Sequence, residues 1–498
     1  MSDEHLAYRT YKDMGYKIIG DHTSTVSDLA DFIDVLDSYV AGTSFFDSNA
    51  DLIVARAPGR LDVMGGIADY SGSLVLELPT SEATFVALQK DEARQLHIVS
   101  LLEPGKRTLT FDMPLSDFES EDGPLSYADA LTYFRNDADG QWAAYVAGVF
   151  LVLMRERGVR FRQGARLLVS SRVPAGKGVS SSAALEVATM SAVNAAFDLQ
   201  ISCRELALLC QRVENYVVGA PCGVMDQMTA ACGKENQLLT LLCQPAEPLD
   251  PIELPAQLAV WGLDSGVRHF VGGDDYGSVR AGTFMGYRII ADLAGLKVTK
   301  TATGVAIDDP RWKGYLANVD PSQFQDQFAN KLPETIGGEE FIARYCGTSD
   351  TATVVDPERT YAVRTPVAHA VYESARTRRF GNLLRGNGAS LAKEEKIQLG
   401  NLMYESHASY SACGLGSHGT DQLVELVRAA GAEEGLFGAK ITGGGSGGTV
   451  AVLADSHCFR AVEEIGQRYG EPSGQPTYIF RGSSPGSAAF GHIVLKGS

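Results

Sequence analysis

Val173-Pro-Ala-Gly-Lys-Gly-Val-Ser-Ser-Ser-Ala-Ala184 runs directly into Leu185-Glu-Val-Ala-Thr-Met-Ser-Ala-Val-Asn-Ala-Ala-Phe197. The first segment is a glycine-bearing loop that closes on three consecutive serines. The second is rich in good helix formers, with Leu185, Ala188, Ala192 and Ala195/Ala196 at helical spacing. A helix opening at the serines directs its unpaired backbone N–H groups, and the positive end of its dipole, into the loop. Gly176 and Gly178 let the backbone close round an anion, and the seryl hydroxyls suit a phosphate oxygen or Mg2+. The stretch therefore reads as a nucleotide-phosphate cradle, with an ordinary loop capped by a serine as the alternative. Two familiar phosphate motifs do not fit. Lys177 is followed by Gly178, which breaks a Walker A loop, and Gly176-Lys-Gly178 lacks the third glycine of a dinucleotide fingerprint.

Around this stretch, 498 residues suffice for two domains or one large bilobal unit. An apolar share of 45% and a charged share of 21% describe a soluble, enzyme-like chain. The net charge of −18 is spread without a long single-sign block, which argues against nucleic acid or an anionic membrane as main partner. ATP remains compatible, because a local cradle can hold it within an acidic protein. The eight cysteines form no C-x-x-C pair and are expected as reduced thiols in a cytoplasmic protein. The polar N-terminus shows no signal-peptide pattern, and the apolar run Ala143–Met154 is too short to span a bilayer.

In chain order, Val26–Tyr39 reads as an amphipathic helix within an N-terminal extension. A strand over 52–57 is expected to stop at Pro58-Gly59, and β-rich runs resume at 73–78 and 84–89. The loop between them carries Arg60, Asp62, Asp69 and Tyr70. Residues 100–140 are acidic and turn-rich and read as a surface insertion. A helix over about 141–157 and the strand Ala165–Ser171 lead to the cradle. A helix over 203–217 carries Glu214, and Asp226 opens a short helix after a Pro/Gly loop, where it is a catalytic candidate or a plain N-cap. Strands at 237–242 and 258–263, a polar loop ending at Tyr276 and a helix over about 278–295 follow. An irregular insertion occupies about 296–360, then helices cover about 366–380, 394–411 and 419–430. Gly443-Gly-Gly-Ser-Gly-Gly448 matches both a dinucleotide pattern and a hydrolase nucleophile elbow, but each demands a following helix. Thr449-Val-Ala-Val-Leu453 reads as strand, so a glycine hairpin packed against a ligand or the cradle fits better.

Three separated motifs agree. Ala57-Pro-Gly-Arg-Leu-Asp-Val-Met-Gly-Gly-Ile-Ala-Asp-Tyr70, the cradle and Gly443–Gly448 together resemble the GHMP kinases, over roughly residues 52–495. Pro221-Cys-Gly-Val-Met-Asp-Gln227 and Ser265-Gly-Val-Arg-His269, with Tyr276 downstream, are similar to the galactokinase branch. Gly65-Gly-Ile-Ala-Asp-Tyr-Ser-Gly72 and Ser411-Ala-Cys-Gly-Leu-Gly-Ser417 resemble its L-arabinokinase group most.

The resemblance implies an α+β, two-lobed GHMP kinase fold. After an extension at residues 1–50, an S5-like β/α lobe spans 51–255, and a ferredoxin-like lobe with the insertion near 296–360 spans 256–498. ATP and a sugar would meet between the lobes. Pro174, Gly176, Lys177, Gly178, Ser180, Ser181 and Ser182, with Gly444 and Gly445, would surround ATP. Ser182 and Glu214 would hold Mg2+. Asp226 would accept the proton of the anomeric hydroxyl, and Arg60 would stabilise that carboxylate and the transferred phosphoryl group. Asp69, Tyr276, Asp62, Gly66 and Gly223 would form the sugar pocket.

One departure names the sugar. Where galactokinases carry a glutamate that binds the exocyclic hydroxymethyl of galactose, this chain has Gly66. L-arabinopyranose shares galactose's ring stereochemistry but lacks that arm, so acceptor and donor vanish together. An empty space rejects little, so a preference follows rather than strict specificity. The expected activity is MgATP-dependent formation of L-arabinose 1-phosphate. The alternatives are galactokinase activity, action on both sugars, or a regulator that binds sugar and ATP without catalysis.

Overall fold

The computed structural model describes residues 17–19, 26–101, 108–138, 140–268, 274–386, 391–471 and 476–497. Two sheets organise them. The larger has ten strands, with the neighbour order 17–19, 492–496, 52–64, 74–91, 164–171, 95–101 and 109–114 along its main path. Pairing is antiparallel except between 95–101 and 164–171, which run parallel. The strand Gln237–Leu242 joins the N-terminal end of Leu74–Asp91. The smaller sheet is antiparallel, in the order 436–441, 449–455, 258–264 and 479–480.

Helices Ala144–Arg157, Ser181–Ala196, Cys203–Arg212 and Met225–Cys232 bury their apolar faces in one core with the larger sheet. A second core joins the sheets. Leu61, Val63 and Leu76 of the long strands meet Val260, Leu453 and Phe437 of the smaller sheet and Leu402 and Met403 of the helix Lys393–Ala412. That shared core fixes the floor on which the cradle and the glycine hairpin face each other.

Several expectations change. The strand does not stop at Pro58-Gly59; it runs from Leu52 to Met64. A register shift between Pro58 and Arg60 absorbs the proline as a bulge. The bulge turns the Arg60 N–H onto the Val179 carbonyl of the cradle at 3.1 Å, so Arg60 and Asp62 lie on a strand rather than in a loop. The acidic stretch after residue 100 is not a mere surface insertion. Met113, Leu115, Phe118, Ala130 and Phe134 enter the main core, and the acidic residues line the outside of that apolar face. Residues 102–107 and 139 lie outside the described ones, as does part of the polar loop before Tyr276. The helix Cys203–Arg212 widens into a π-turn, Val213–Val218, at the point where it presents Glu214.

The irregular stretch near 296–360 carries short hairpins and helices with a core of their own. Trp312, Phe324, Phe328 and Phe341 pack there against Met285, Tyr287 and Ile290 of the helix Asp274–Leu293. The N-terminal helix Asp28–Gly42 buries Leu29, Phe32, Ile33 and Leu36 against Phe85, Leu168 and Phe490, and Asp28 pairs with the buried Arg56 at 2.8 Å. Among the described residues, no helix is long and apolar enough to cross a membrane.

Candidate active site

A cleft lies where the cradle, the 65–72 turn, the 219–226 loop and the glycine hairpin converge. Gly176, Gly178, Ser180, Ser181, Ser182 and Gly444 line one end. Asp69, Ile67, Tyr276, Pro221, Cys222 and Gly223 line the other, with Arg60, Asp226, Met225 and Glu214 between them.

The cradle is more than a capped loop. Ser180 precedes the helix Ser181–Ala196 with φ +63° and makes no side-chain cap, and its buried hydroxyl has no hydrogen-bond partner. A non-glycine residue held left-handed costs about 1–3 kcal/mol, and a buried unpaired hydroxyl adds to that. The cost of the unpaired hydroxyl is relieved when an acceptor enters the loop, as phosphate oxygens would.

Arg60 is the hub. Its Nε and Nη2 both reach Asp226 Oδ1, at 2.9 and 2.8 Å, and its Nη1 donates to the Gly178 carbonyl at 2.8 Å. Behind it stands Glu77, fully buried, 3.4 Å from Nε, with neither carboxylate oxygen hydrogen-bonded. Burial alone lowers the pKa of a guanidinium, but Asp226, Glu77 and Asp62 outweigh it and hold Arg60 above its ordinary value. Burial, with Asp62 next, drives the Glu77 carboxyl well above the usual range.

At the opposite end from the cradle, Asp69 is buried, and its oxygens accept from the Tyr70 N–H at 2.6 Å and the Met225 N–H at 3.4 Å. Burial, reinforced by Asp226, pushes its pKa up to about 7, and Arg280 opposes the shift. Gly223 makes this seat possible, since a Cβ there would stand 1.7 Å from Asp69 Oδ2. Between the ends, burial lifts Glu214 to about 7 despite hydrogen bonds from Ser182, Cys222 and Gln227. Gln227 Nε2 bridges Glu214 at 2.6 Å and Glu186 at 3.2 Å, and Glu186 keeps one oxygen without a partner.

Five expected residues lie off the cleft lining. Asp62 is wholly buried and ion-paired with the wholly buried Lys440 at 2.5 Å, and it also accepts from the Gly66 N–H at 3.1 Å. Its expected place in the sugar pocket is corrected: its oxygens are already committed inside the protein. Gly66 is also buried, and the space beside it is not empty. With φ at +42°, a Cβ there would stand 1.7 Å from the Tyr410 hydroxyl and 2.7 Å from Asp62 Oδ2. Lys177 points to Asp264, 2.7 Å from its Oδ2. Pro174 is outside the lining, and Gly445 packs on the Leu415 carbonyl.

Sequence reasoning missed Glu77, Glu186, Arg280, Lys440 and Tyr410. Arg280 stands one helical turn after Tyr276, paired with Asp350 at 2.9 Å, with its guanidinium 5.3 Å from the Tyr70 ring centre. Its spacing from Tyr276 was the signal for it, and Glu186 was in plain sight four residues after Ser182 on the cradle helix. Glu77 stands on the strand that follows the 65–72 turn, while Lys440 and Tyr410 come from the far half of the chain.

Residues 144–234 match the family described as GHMP kinases N terminal domain, and residues 389–470 match GHMP kinases C terminal. Residues 43–90 match the galactokinase galactose-binding signature. A galactokinase of Chloroflexus aggregans is 31% identical over 81% of this chain and 84% of its own length. The chain belongs to the GHMP kinase family. Within the family, it is 46% identical over 92% of its length to the L-arabinokinase of Arabidopsis thaliana, and spans 48% of that relative. The Lactococcus lactis galactokinase, solved with galactose, shares the GHMP kinase fold with a TM-score of 0.67. That match covers 92% of this chain and 98% of that one at 21% identity.

Proposed function

We propose that this chain is a MgATP-dependent sugar-1-kinase that converts L-arabinose and ATP to L-arabinose 1-phosphate and ADP. The observation that carries the reading is the Arg60–Asp226 pair, held at 2.8 Å between a serine cradle and the Asp69 seat within one cleft. Asp226 accepts the proton of the anomeric hydroxyl, whose oxygen attacks the γ-phosphorus as the bond to the bridging oxygen of ADP breaks. Arg60, donating to Asp226 and to the Gly178 carbonyl, offsets negative charge on the phosphoryl oxygens in flight. Asp69 orients ring hydroxyls, and Tyr276 walls the pocket.

Glu214 and the Ser182 hydroxyl are the residues that would hold Mg2+, together with ATP oxygens and water. Both are hard oxygen donors, and Glu214, lifted to about 7 by burial with Asp226 adding to the shift, suits a divalent cation. The ion would neutralise phosphate charge. A reducing cytoplasm suits the eight cysteines, none of which is in a disulfide.

The relative at 46% identity supports L-arabinose as substrate. The galactose-binding signature at 43–90 favours a second reading, phosphorylation of D-galactose. The test is ADP release with MgATP over a panel of pentoses and hexoses. A kcat/KM for D-galactose tenfold or more above that for L-arabinose would replace the first reading with the second. Binding of both ligands without ADP would make the protein a regulator.

A further inference from the structure

The turn Gly65–Ser71 carries Ile67 and Asp69 into the cleft, and the protein holds its start in an unusual way. Three successive backbone N–H groups each meet a side-chain acceptor from a different element. Gly65 N–H donates to Glu373 Oε1 at 3.2 Å, Gly66 N–H to Asp62 Oδ1 at 3.1 Å, and Ile67 N–H to Tyr410 Oη at 2.8 Å. Tyr410 then donates its own proton to the Gly443 carbonyl at 3.1 Å. Gly443 leads the hairpin whose next residue lines the phosphate end, and a Cβ on it would stand 2.7 Å from the Gly178 carbonyl and 3.0 Å from Arg60 Nη2. A single hydroxyl therefore ties the sugar-side turn to the phosphate-side hairpin.

That hydroxyl also fills the place of a side chain at position 66, 1.7 Å from where a Cβ would sit. Tyr410 is fully buried, with Lys440 Nζ 5.3 Å from its ring centre and the His369 ring 5.0 Å away edge-on. In the same apolar cluster it packs with Ile67 and Tyr276, two residues of the cleft wall.

We propose that Tyr410 is a positioning residue for the sugar: its hydroxyl replaces a residue-66 side chain, seats the Gly65–Ser71 turn and sets where Ile67 and Asp69 meet the substrate. This rests on the sugar-kinase reading for its substrate and on geometry alone for its exclusion of a side chain at 66.

Two experiments on the full chain test it. In steady-state kinetics, Tyr410→Phe keeps the ring and removes both hydrogen bonds, leaving the Ile67 N–H unpaired. The expected result is a rise of about tenfold in the sugar KM, with kcat and the ATP KM changed less than about threefold. A sugar KM within twofold of wild type overturns the proposal, as does an equal loss in all three parameters.

The second experiment is a thermal double-mutant cycle that needs no substrate. Gly66→Ala alone is expected to lower Tm, and by clearly less in the Tyr410→Phe background, because the atom of the worst clash is gone while the contact with Asp62 and the positive φ remain. Additive losses overturn the exclusion. Absence of ADP with every sugar in the wild type defeats the kinase reading by itself, and the thermal cycle still decides the Tyr410 contact.

Discussion

The two ends of the cleft are built on opposite principles. At the cradle end, polar groups stand without partners: the Ser180 hydroxyl is buried and unpaired and one Glu186 oxygen is unpaired, while the neighbouring Glu214, though hydrogen-bonded, is lifted to about 7. At the Asp69 end, the backbone of the 65–67 turn is satisfied by Glu373, Asp62 and Tyr410 before any ligand arrives. The first end is completed by what binds; the second is completed by the protein. A cradle for a charged, mobile phosphate chain gains from unspent donors and a cation. A pocket that tells one neutral sugar from another gains from fixed walls.

Four measurements break or sharpen that contrast. The largest effect belongs to the group between the ends. Asp226→Ala is expected to lower kcat by about 10^3-fold, the middle of the range for a general base, while sugar binding by calorimetry stays close to wild type. A loss of binding equal to the loss of rate would move Asp226 into the pocket wall. Next, Glu214→Gln should raise the Mg2+ concentration for half-maximal rate by about 10- to 100-fold.

pH sharpens the same point. Cation binding needs Glu214 ionised, and burial holds its pKa near 7. Apparent Mg2+ affinity should therefore climb as pH rises through 7 and level off above it. In Glu214→Gln that climb should flatten, and an unchanged profile would remove Glu214 from the cation site. Smallest of all, Lys177→Met should change the ATP KM less than about threefold, because Lys177 is spent on a partly exposed pair with Asp264. A larger change would return Lys177 to the cradle.

How much was legible follows from which interactions are local. The cradle could be read because a loop of glycines and serines before a helix is a contiguous signal, and the helix Ser181–Ala196 begins at the serines. The glycine hairpin was legible because Thr449–Leu453 is strand-like in its own right, and that strand extends to Asp455. The continuation of strand Leu52–Met64 through Pro58-Gly59 was not, since the bulge is stabilised by the Val179 carbonyl some 120 residues away. Position 66 shows the limit most plainly. The glycine was visible and suggested a missing side chain, but the Tyr410 hydroxyl that fills the gap comes from residue 410 on a helix of the other half. The same holds for Asp62, an apparent pocket carboxylate until Lys440 closes on it.

The measurement nearest the centre is product identification with wild-type protein, MgATP and L-arabinose, followed by ADP release and phosphorus NMR. The expected result is stoichiometric ADP with a phosphate resonance split by the anomeric proton, lost in Asp226→Ala. No ADP from L-arabinose or D-galactose, or phosphate attached at another hydroxyl, would contradict the placement of Asp226 and Arg60 at the anomeric oxygen.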